Sequence, residues 1–145
     1  MKRLAILISI VAAAVLAPTA MSTPRADRGT VTAHSSRFGS ILFDGRGFVL
    51  YAFTRDPRGR SVCSGACAKA WPPYLVSRAP RSAAGVKRAL LGTTRRSDGK
   101  IQVTYAGRPL YYYVGDRSPG QILCQDVSEF GGLWLVVRPT GSPVR

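Results

Sequence analysis

The sequence predicts a mainly β fold in which two tandem, pseudo-equivalent β-hairpin units form one small sandwich or open barrel. The first observation is an internal repeat, because residues 50–56 (LYAFTRD) return as residues 110–116 (LYYYVGD). The second is a series of short apolar and aromatic runs separated by turn residues, a spacing typical of all-β domains. A long period with only two copies indicates a duplicated supersecondary unit, and not a solenoid.

The same parts surround each copy of the repeat. A Gly-Arg turn comes before it, a cysteine follows its aspartate, and a tryptophan lies beyond the cysteine. In chain order these pairs are Gly45-Arg46 and Gly107-Arg108, Cys63 and Cys124, and Trp71 and Trp134. Because two equivalent halves share one core, their meeting line is the natural place for a site.

The strands are predicted from apolar, β-branched and aromatic runs. The turn Asp44-Gly45-Arg46-Gly47 between two such runs is a short-range signal for a hairpin. The predicted strands cover residues 39–43, 48–53, 91–95, 101–105, 110–114 and 133–138.

One segment departs from the β pattern. Residues 64–71 are rich in small side chains and stop at Pro72-Pro73, which predicts a short helix after Cys63. The equivalent segment of the second unit, around Ser128-Glu129-Phe130, ends at Gly131-Gly132 and is predicted to be a loop.

The chain divides into five predicted parts. Residues 1–22 have the basic start, the short apolar stretch and the small-residue cleavage site of a signal peptide. The apolar stretch is shorter than the ~20 residues that a spanning helix needs, so no stable membrane span is expected after cleavage. The other parts are a flexible lead-in (23–37), a repeat domain (38–139, with units of about 38–76 and 91–139 and a linker at 77–90), and a tail (140–145).

The protein is strongly basic, with 21 Lys and Arg against 7 Asp and Glu and a net charge of +14. Loss of Lys2 and Arg3 with the signal peptide leaves 19 against 7, or +12. Such a charge favours anionic partners. The predicted partners are therefore an anionic cell-wall polymer or an envelope protein, and nucleic acid is disfavoured by the export signal. The alternative is that scattered arginines reflect only a GC-rich genome.

The three cysteines are disulfide candidates. In an exported protein Cys63 and Cys67 are expected to pair, which leaves Cys124 over, but a bridge from either one to Cys124 stays open. The sharper alternative is a copper(I) or redox site that uses all three thiols. The spacing for zinc, haem attachment or a thiol oxidoreductase is missing, so neither a cofactor nor a metal site is predicted.

The repeated aspartates, Asp56 and Asp116, are the other candidates for chemistry. Two carboxylates related by a pseudo-twofold axis resemble the pair of a glycosidase. The simpler interpretation is that each caps backbone N–H groups of a turn. The lone His34 lies in the predicted lead-in, and no serine nucleophile motif is present, so no enzyme activity is predicted.

Strand alternation places the repeated aromatic residues on one face, with Tyr51 and Phe53 in the first unit and Tyr111 and Tyr113 in the second. The opposite face is also apolar, so these segments are predicted to be central and covered on both sides. An exposed aromatic ledge for a sugar or a flat cofactor is the alternative.

These residues together resemble a known bacterial family, the "secreted repeat of unknown function", whose members are described as predicted lipoproteins with a repeated Tyr-x-aromatic-x-x-Asp motif. The matching residues are Tyr51, Phe53, Asp56, Tyr111, Tyr113, Asp116, the segment from Cys63 through Cys67 to Trp71, Pro72 and Pro73, and Phe130, Gly131, Gly132 and Trp134. The resemblance implies an extracytoplasmic, mostly β domain and no established activity. This chain lacks the lipidation cysteine, and it carries Cys124 where many relatives have none.

The sequence therefore predicts a secreted, non-enzymatic binding or structural module of the cell envelope. The alternative is a thiol-based metal-binding or redox protein that uses Cys63, Cys67 and Cys124. The ligand itself is not predicted.

Overall fold

The computed structural model of the protein describes residues 29–145, and the predicted signal peptide lies outside them. These residues form β1 (Thr30–Ser36), β2 (Gly39–Asp44), β3 (Tyr51–Phe53), α1 (Ala66–Ala70), β4 (Arg81–Ser82), a 3-10 turn (Arg88–Leu90), β5 (Leu91–Arg95), β6 (Ile101–Tyr105), β7 (Arg108–Pro109), β8 (Val127–Glu129) and β9 (Gly132–Val136). The prediction of a mainly β fold with one short helix after Cys63 is confirmed.

The strands form three small sheets, in the orders β2-β1-β4, β3-β9-β8 and β5-β6-β7. Neighbouring strands are antiparallel except for the short parallel pair of β1 and β4. Within residues 29–145 the sheets do not close into a barrel, so the sandwich is the correct one of the two predicted architectures. The sheet β3-β9-β8 joins the two units, because β3 of the first unit pairs with β9 of the second.

Two apolar clusters lie on opposite faces of the repeated segments. One cluster holds Tyr51, Phe53 and Tyr111, and the other holds Leu50, Ala52 and Leu110. Successive side chains of an extended segment point to opposite faces, so each copy of the repeat supplies both cores. The repeated segments are thus covered on two sides, as the alternation of apolar residues predicts.

Three local predictions need correction. The flexible lead-in predicted over 23–37 is wrong for residues 30–36, because they form β1, which pairs with β2 over residues 31–36. The loop predicted around Ser128-Glu129-Phe130 is instead the hairpin of β8 and β9. The tail is also packed, since Val144 is buried and its N–H donates to Val136 O.

The strand predicted over 110–114 forms only isolated bridges. Its N–H groups donate to several different segments, at Val103 O from Leu110 and at Pro72 O from Tyr112. A segment that bonds to a new neighbour at almost every residue lies at a junction, and it has no single partner strand with which to form a ladder.

Candidate functional site: the seam between the two units

The two units meet where residues 50–56 and 110–116 cross, and we call this place the seam. Tyr51 N–H donates to Tyr111 O, and Tyr111 N–H donates to Tyr51 O, each with an N···O distance of 2.9 Å. The reciprocal bonds place the two copies of the motif tyrosine directly opposite each other. The pseudo-twofold relation that the repeat predicts therefore passes between these residues.

The tyrosine of each unit binds the aspartate of the other unit. The Tyr51 hydroxyl donates to Asp116 Oδ2 at 2.7 Å, and the Tyr111 hydroxyl donates to Asp56 Oδ2 at 2.6 Å. Hydrogen bonds to a carboxylate are stronger than those between neutral groups. These two bonds cross the seam in opposite directions and link the two units. Each motif tyrosine therefore has its partner in the other copy of the motif, at a sequence separation of 65 residues for Tyr51 and 55 for Tyr111.

The second oxygen of each aspartate caps a backbone N–H group, as the turn interpretation predicts. Asp56 Oδ1 accepts from Val62 N at 2.8 Å, and Asp116 Oδ1 accepts from Leu123 N at 3.0 Å. Both oxygens of both carboxylates are thus engaged within the fold. This arrangement gives no support to the hypothesis of a glycosidase pair.

Burial sets the protonation of these groups. It raises the pKa of Tyr51 and of Tyr111 far above the usual value, and the hydrogen bonds to aspartate raise both further. Burial also raises the pKa of Asp56 and Asp116, although the tyrosine hydroxyls act in the opposite direction. Both tyrosine hydroxyls are therefore neutral hydrogen-bond donors at neutral pH.

Four aromatic rings form a column beside the seam, in the order Phe53, Trp134, Trp71 and Tyr113. The central indoles stack with centroids 4.0 Å apart and an interplanar angle of 4°. Phe53 stacks on Trp134 at 4.2 Å, and Tyr113 lies against Trp71 at 4.8 Å. Both tryptophans are fully buried, so the motif aromatics form a core and the alternative of an exposed ledge is wrong.

The two tryptophans differ at their nitrogen atoms. Trp71 Nε1 donates to Glu129 Oε2 at 2.8 Å. Trp134 Nε1 is buried and has no acceptor among residues 29–145. The indole of the first unit is thus anchored to the second unit, whereas its counterpart is held by ring packing alone.

The segment from Trp71 to Pro73 and the hairpin tip at 130–132 position these rings. Pro72 O accepts from Tyr112 N at 2.8 Å, and Pro73 forms a bridge with Tyr111, so both prolines border the seam. A Cβ on Gly132 would stand 2.8 Å from Phe53 Cε2, so only glycine fits beneath that ring. Phe130 lies at the tip, and its side chain is 42% exposed.

The cysteines are treated differently in the two units. Cys63 and Cys67 form a disulfide bond that joins the loop after Asp56 to α1. Cys124 is a buried free thiol, and burial raises its pKa. Since the disulfide uses two of the three thiols, the hypothesis of a three-thiolate copper site is wrong for this state of the protein.

A buried arginine, which no sequence pattern identifies, supports the first unit. Arg96 Nη1 donates to Ser61 Oγ and to Gln102 Oε1, and Arg96 Nη2 donates to Cys63 O, all at 2.7 Å. Ser61 Oγ also lies 2.7 Å from the Tyr111 hydroxyl oxygen, and because the single Tyr111 proton is donated to Asp56, Ser61 is the donor of this bond, which connects the network to the seam. Gln102 occupies a polar position of the alternating strand IQVTY, so its residue type gives no sign of this network.

A shallow pocket of about 210 Å³ opens between the units. It is lined by Asp44, Arg46, Pro73, Tyr74, Leu75 and Tyr112. Its polar groups bind one another, because Asp44 Oδ2 accepts from Arg46 Nε at 2.8 Å and from the Tyr112 hydroxyl at 3.0 Å. The pocket therefore presents neither a free acid nor a free nucleophile.

Within the described part of the chain, no three His, Cys, Asp or Glu side chains are grouped so that they could hold a metal ion. The same residues contain no helix long and apolar enough to cross a membrane.

Duplicated β units with an aromatic column and crossed tyrosine–aspartate bonds define a tandem-repeat module. Residues 32–74 and 92–138 match the family described as "secreted repeat of unknown function", and the chain belongs to this family. The resemblance and the secreted, extracytoplasmic location that the sequence predicts are thereby confirmed. The chain has no significant match among curated proteins or solved structures.

Proposed function

We propose that this secreted protein is a non-enzymatic binding module of the cell envelope whose partner is an anionic wall polymer. The observation that carries the proposal is the unequal exposure of the two kinds of charge. Within residues 29–145 there are 17 basic and 6 acidic residues, and 14 of the basic but only 2 of the acidic side chains are exposed. The exposed basic residues are Arg37, Arg46, Arg55, Arg58, Arg60, Lys69, Arg78, Arg81, Lys87, Arg88, Arg95, Lys100, Arg117 and Arg145.

The fold produces this imbalance by using its carboxylates internally. Asp56 and Asp116 bind tyrosine hydroxyls and backbone N–H groups, and Glu129 accepts from Trp71. Asp44 is also buried, which leaves Asp98 and Asp126 as the exposed acids. A surface with so little negative charge attracts a polyanion from any direction of approach.

The engaged carboxylates also support the non-enzymatic part of the proposal. A catalytic carboxylate needs an oxygen within reach of a substrate, about 3 Å away or through one water. Asp56 and Asp116 direct both of their oxygens to groups of the fold itself. Their place at the seam is thus better explained by assembly of the two units than by catalysis.

Cosedimentation with purified cell wall across a salt series tests this proposal. We expect binding at low ionic strength that weakens steadily as salt is added, because exposed charges are screened over ~10 Å at 0.1 M. Wall from which the anionic polymers have been extracted should bind much less protein. Absence of binding at low ionic strength, or binding that neither salt nor extraction changes, would contradict the proposal.

A charge variant makes the test specific. The triple variant R60Q/K87Q/R117Q removes three exposed charges whose side chains make no hydrogen bond or ion pair within residues 29–145. We expect unchanged folding and clearly weaker cosedimentation. The matched control is S64A/S97A/S142A, three exposed and uncharged positions, which should bind as the wild type does.

A further inference from the structure

The turn between β6 and β7 gathers arginines from three separate parts of the chain. The loop after Asp56 crosses this turn, where Gly59 N donates to Gly107 O at 2.6 Å and Arg58 Nη1 donates to Ala106 O. The Arg58 side chain lies along Gly107, with its Cβ 3.5 Å from the place where a Cβ of residue 107 would stand.

Arg108 directly follows this turn and is half-buried, and the last residue of the chain, Arg145, lies close to it. Burial lowers the pKa of Arg108, and the positive charges of Arg58 and then Arg145 lower it further. We call these three residues the arginine corner.

No Asp or Glu side chain of the described residues forms an ion pair with the arginine corner. None of its three guanidinium groups forms an ion pair within residues 29–145. The Nε atom of Arg108 is shielded from solvent and has no acceptor there. Like charges close together and a buried donor without a partner are both unfavourable, and an anion relieves both.

We propose that the arginine corner binds a phosphate group, such as the phosphodiester of an anionic wall polymer. Guanidinium groups are planar forks that bind phosphate oxygens in pairs. A phosphodiester carries its charge on two free oxygens and has two further ester oxygens around one phosphorus, so arginines from separate segments can each reach it. Phosphate binding stands by itself, whereas the identity of the polymer rests on the proposed function.

Calorimetric titration with inorganic phosphate, and then with poly(glycerol phosphate), tests the site at low ionic strength. The full chain is compared with R108Q, with R108K and with R78Q, which removes the same charge at an exposed position elsewhere. We expect R108Q to weaken phosphate binding at least tenfold and R78Q less than twofold. R108K should fall between them, because lysine keeps the charge but loses the fork.

Equal losses of phosphate affinity in R108Q and R78Q would show that binding depends on net charge alone, and they would overturn the proposed site. Near-ultraviolet circular dichroism of the buried tryptophans verifies that each variant is folded. If R108Q does not fold, R145Q replaces it, since that side chain is exposed, and we expect at least a threefold loss of phosphate affinity. A loss of phosphate affinity in R145Q no larger than that in R78Q would overturn the proposed site.

The wall cosedimentation assay separates this inference from the proposed function. If wild type binds phosphate through Arg108 but does not sediment with wall, the site stands and the proposed function fails. If R108Q sediments with wall as well as R78Q does, the proposed function stands, and the assignment of the corner to the wall polymer is overturned.

Discussion

The two units bind each other through two equivalent tyrosine–aspartate bonds but secure the loop after the aspartate in different ways. In the first unit the loop is fixed by the Cys63–Cys67 disulfide and by Arg96, which donates to Cys63 O. In the second unit the equivalent Cys124 is a free thiol. The tyrosine–aspartate bonds across the seam are thus equivalent in the two units, whereas the supports of the following loop differ.

This division has a physical reason. A change in Tyr51 or Asp116 disturbs both units at once, because the bond between them crosses the seam. A change at Cys124 affects one loop, and that loop keeps a second anchor where Ile122 O accepts from Arg37 Nη2 at 2.6 Å. Residues whose bonds cross the seam are therefore harder to replace without loss of stability than residues that support one loop.

Substitution of the two tryptophans is predicted to give the largest difference in stability loss between the units. Trp71→Ala and Trp134→Ala should each cost about 3–5 kcal/mol, the range for an aromatic residue removed from a core. Trp71→Ala should cost more, because it also removes a charge-assisted hydrogen bond to Glu129, worth about 1–3 kcal/mol. Urea unfolding followed by far-ultraviolet circular dichroism measures both. A larger loss for Trp134→Ala would show that the indole bond is unimportant.

The cysteines compare the same position in the two units. The variant C63S/C67S should lose about 2 kcal/mol of unfolding free energy, the value expected for a short disulfide loop. Cys124→Ser should lose about 1 kcal/mol or less. A thiol reagent should find one thiol per chain, which reacts only after unfolding because Cys124 is buried. Three reactive thiols in native, non-reduced protein would contradict the disulfide.

Alkaline pH should affect the two seam tyrosines alike. Their pKa values are raised by burial above the unfolded value near 10, so the folded state holds these protons more tightly than the unfolded state does. Their contribution to stability is complete below pH ~10 and is lost as the pH rises further. Phenolate absorbance from Tyr51 and Tyr111 should therefore appear together with unfolding. Tyr51→Phe and Tyr111→Phe should each reduce the absorbance change at unfolding by the contribution of one phenolate. Gradual ionisation of these tyrosines in the folded protein would contradict their raised pKa values.

The smallest predicted effect concerns the hairpin tip, which only the second unit has. Phe130 and Gly131 form a two-residue loop with φ of 55° and 77°, which corresponds to a type I′ turn. Phenylalanine is unfavourable at positive φ, and asparagine tolerates it. Phe130→Asn should therefore stabilise the protein by about 0.5–1 kcal/mol, measured by thermal unfolding. The control Val114→Asn, at another exposed apolar position, should not stabilise it.

Much of the fold could be predicted from the sequence because its signals are local. The strands at 91–95 and 101–105 and the helix after Cys63 follow from short runs and their flanking turn residues. Strand β1 was missed because TVTAHSS has few apolar residues. It is a strand only because β2 and β4 pair with its backbone, which no local pattern reveals.

The candidate site was predicted in its residues but not in its connections. The repeat identified Tyr51, Asp56, Tyr111 and Asp116, yet the sequence cannot show that each tyrosine binds the aspartate of the other unit. Arg96 was missed because its neighbours come from distant segments, and an arginine in a turn resembles any solvated charge.

The central claim is that the crossed tyrosine–aspartate bonds join the two units, and double-mutant cycles test it most directly. The cycle of Tyr51→Phe with Asp116→Ala should give a coupling energy of about 1–3 kcal/mol, the range for a hydrogen bond to a charged group. The same-unit cycle of Tyr51→Phe with Asp56→Ala should give less than about 0.5 kcal/mol. Stronger coupling in the same-unit cycle than between the units would contradict the claim.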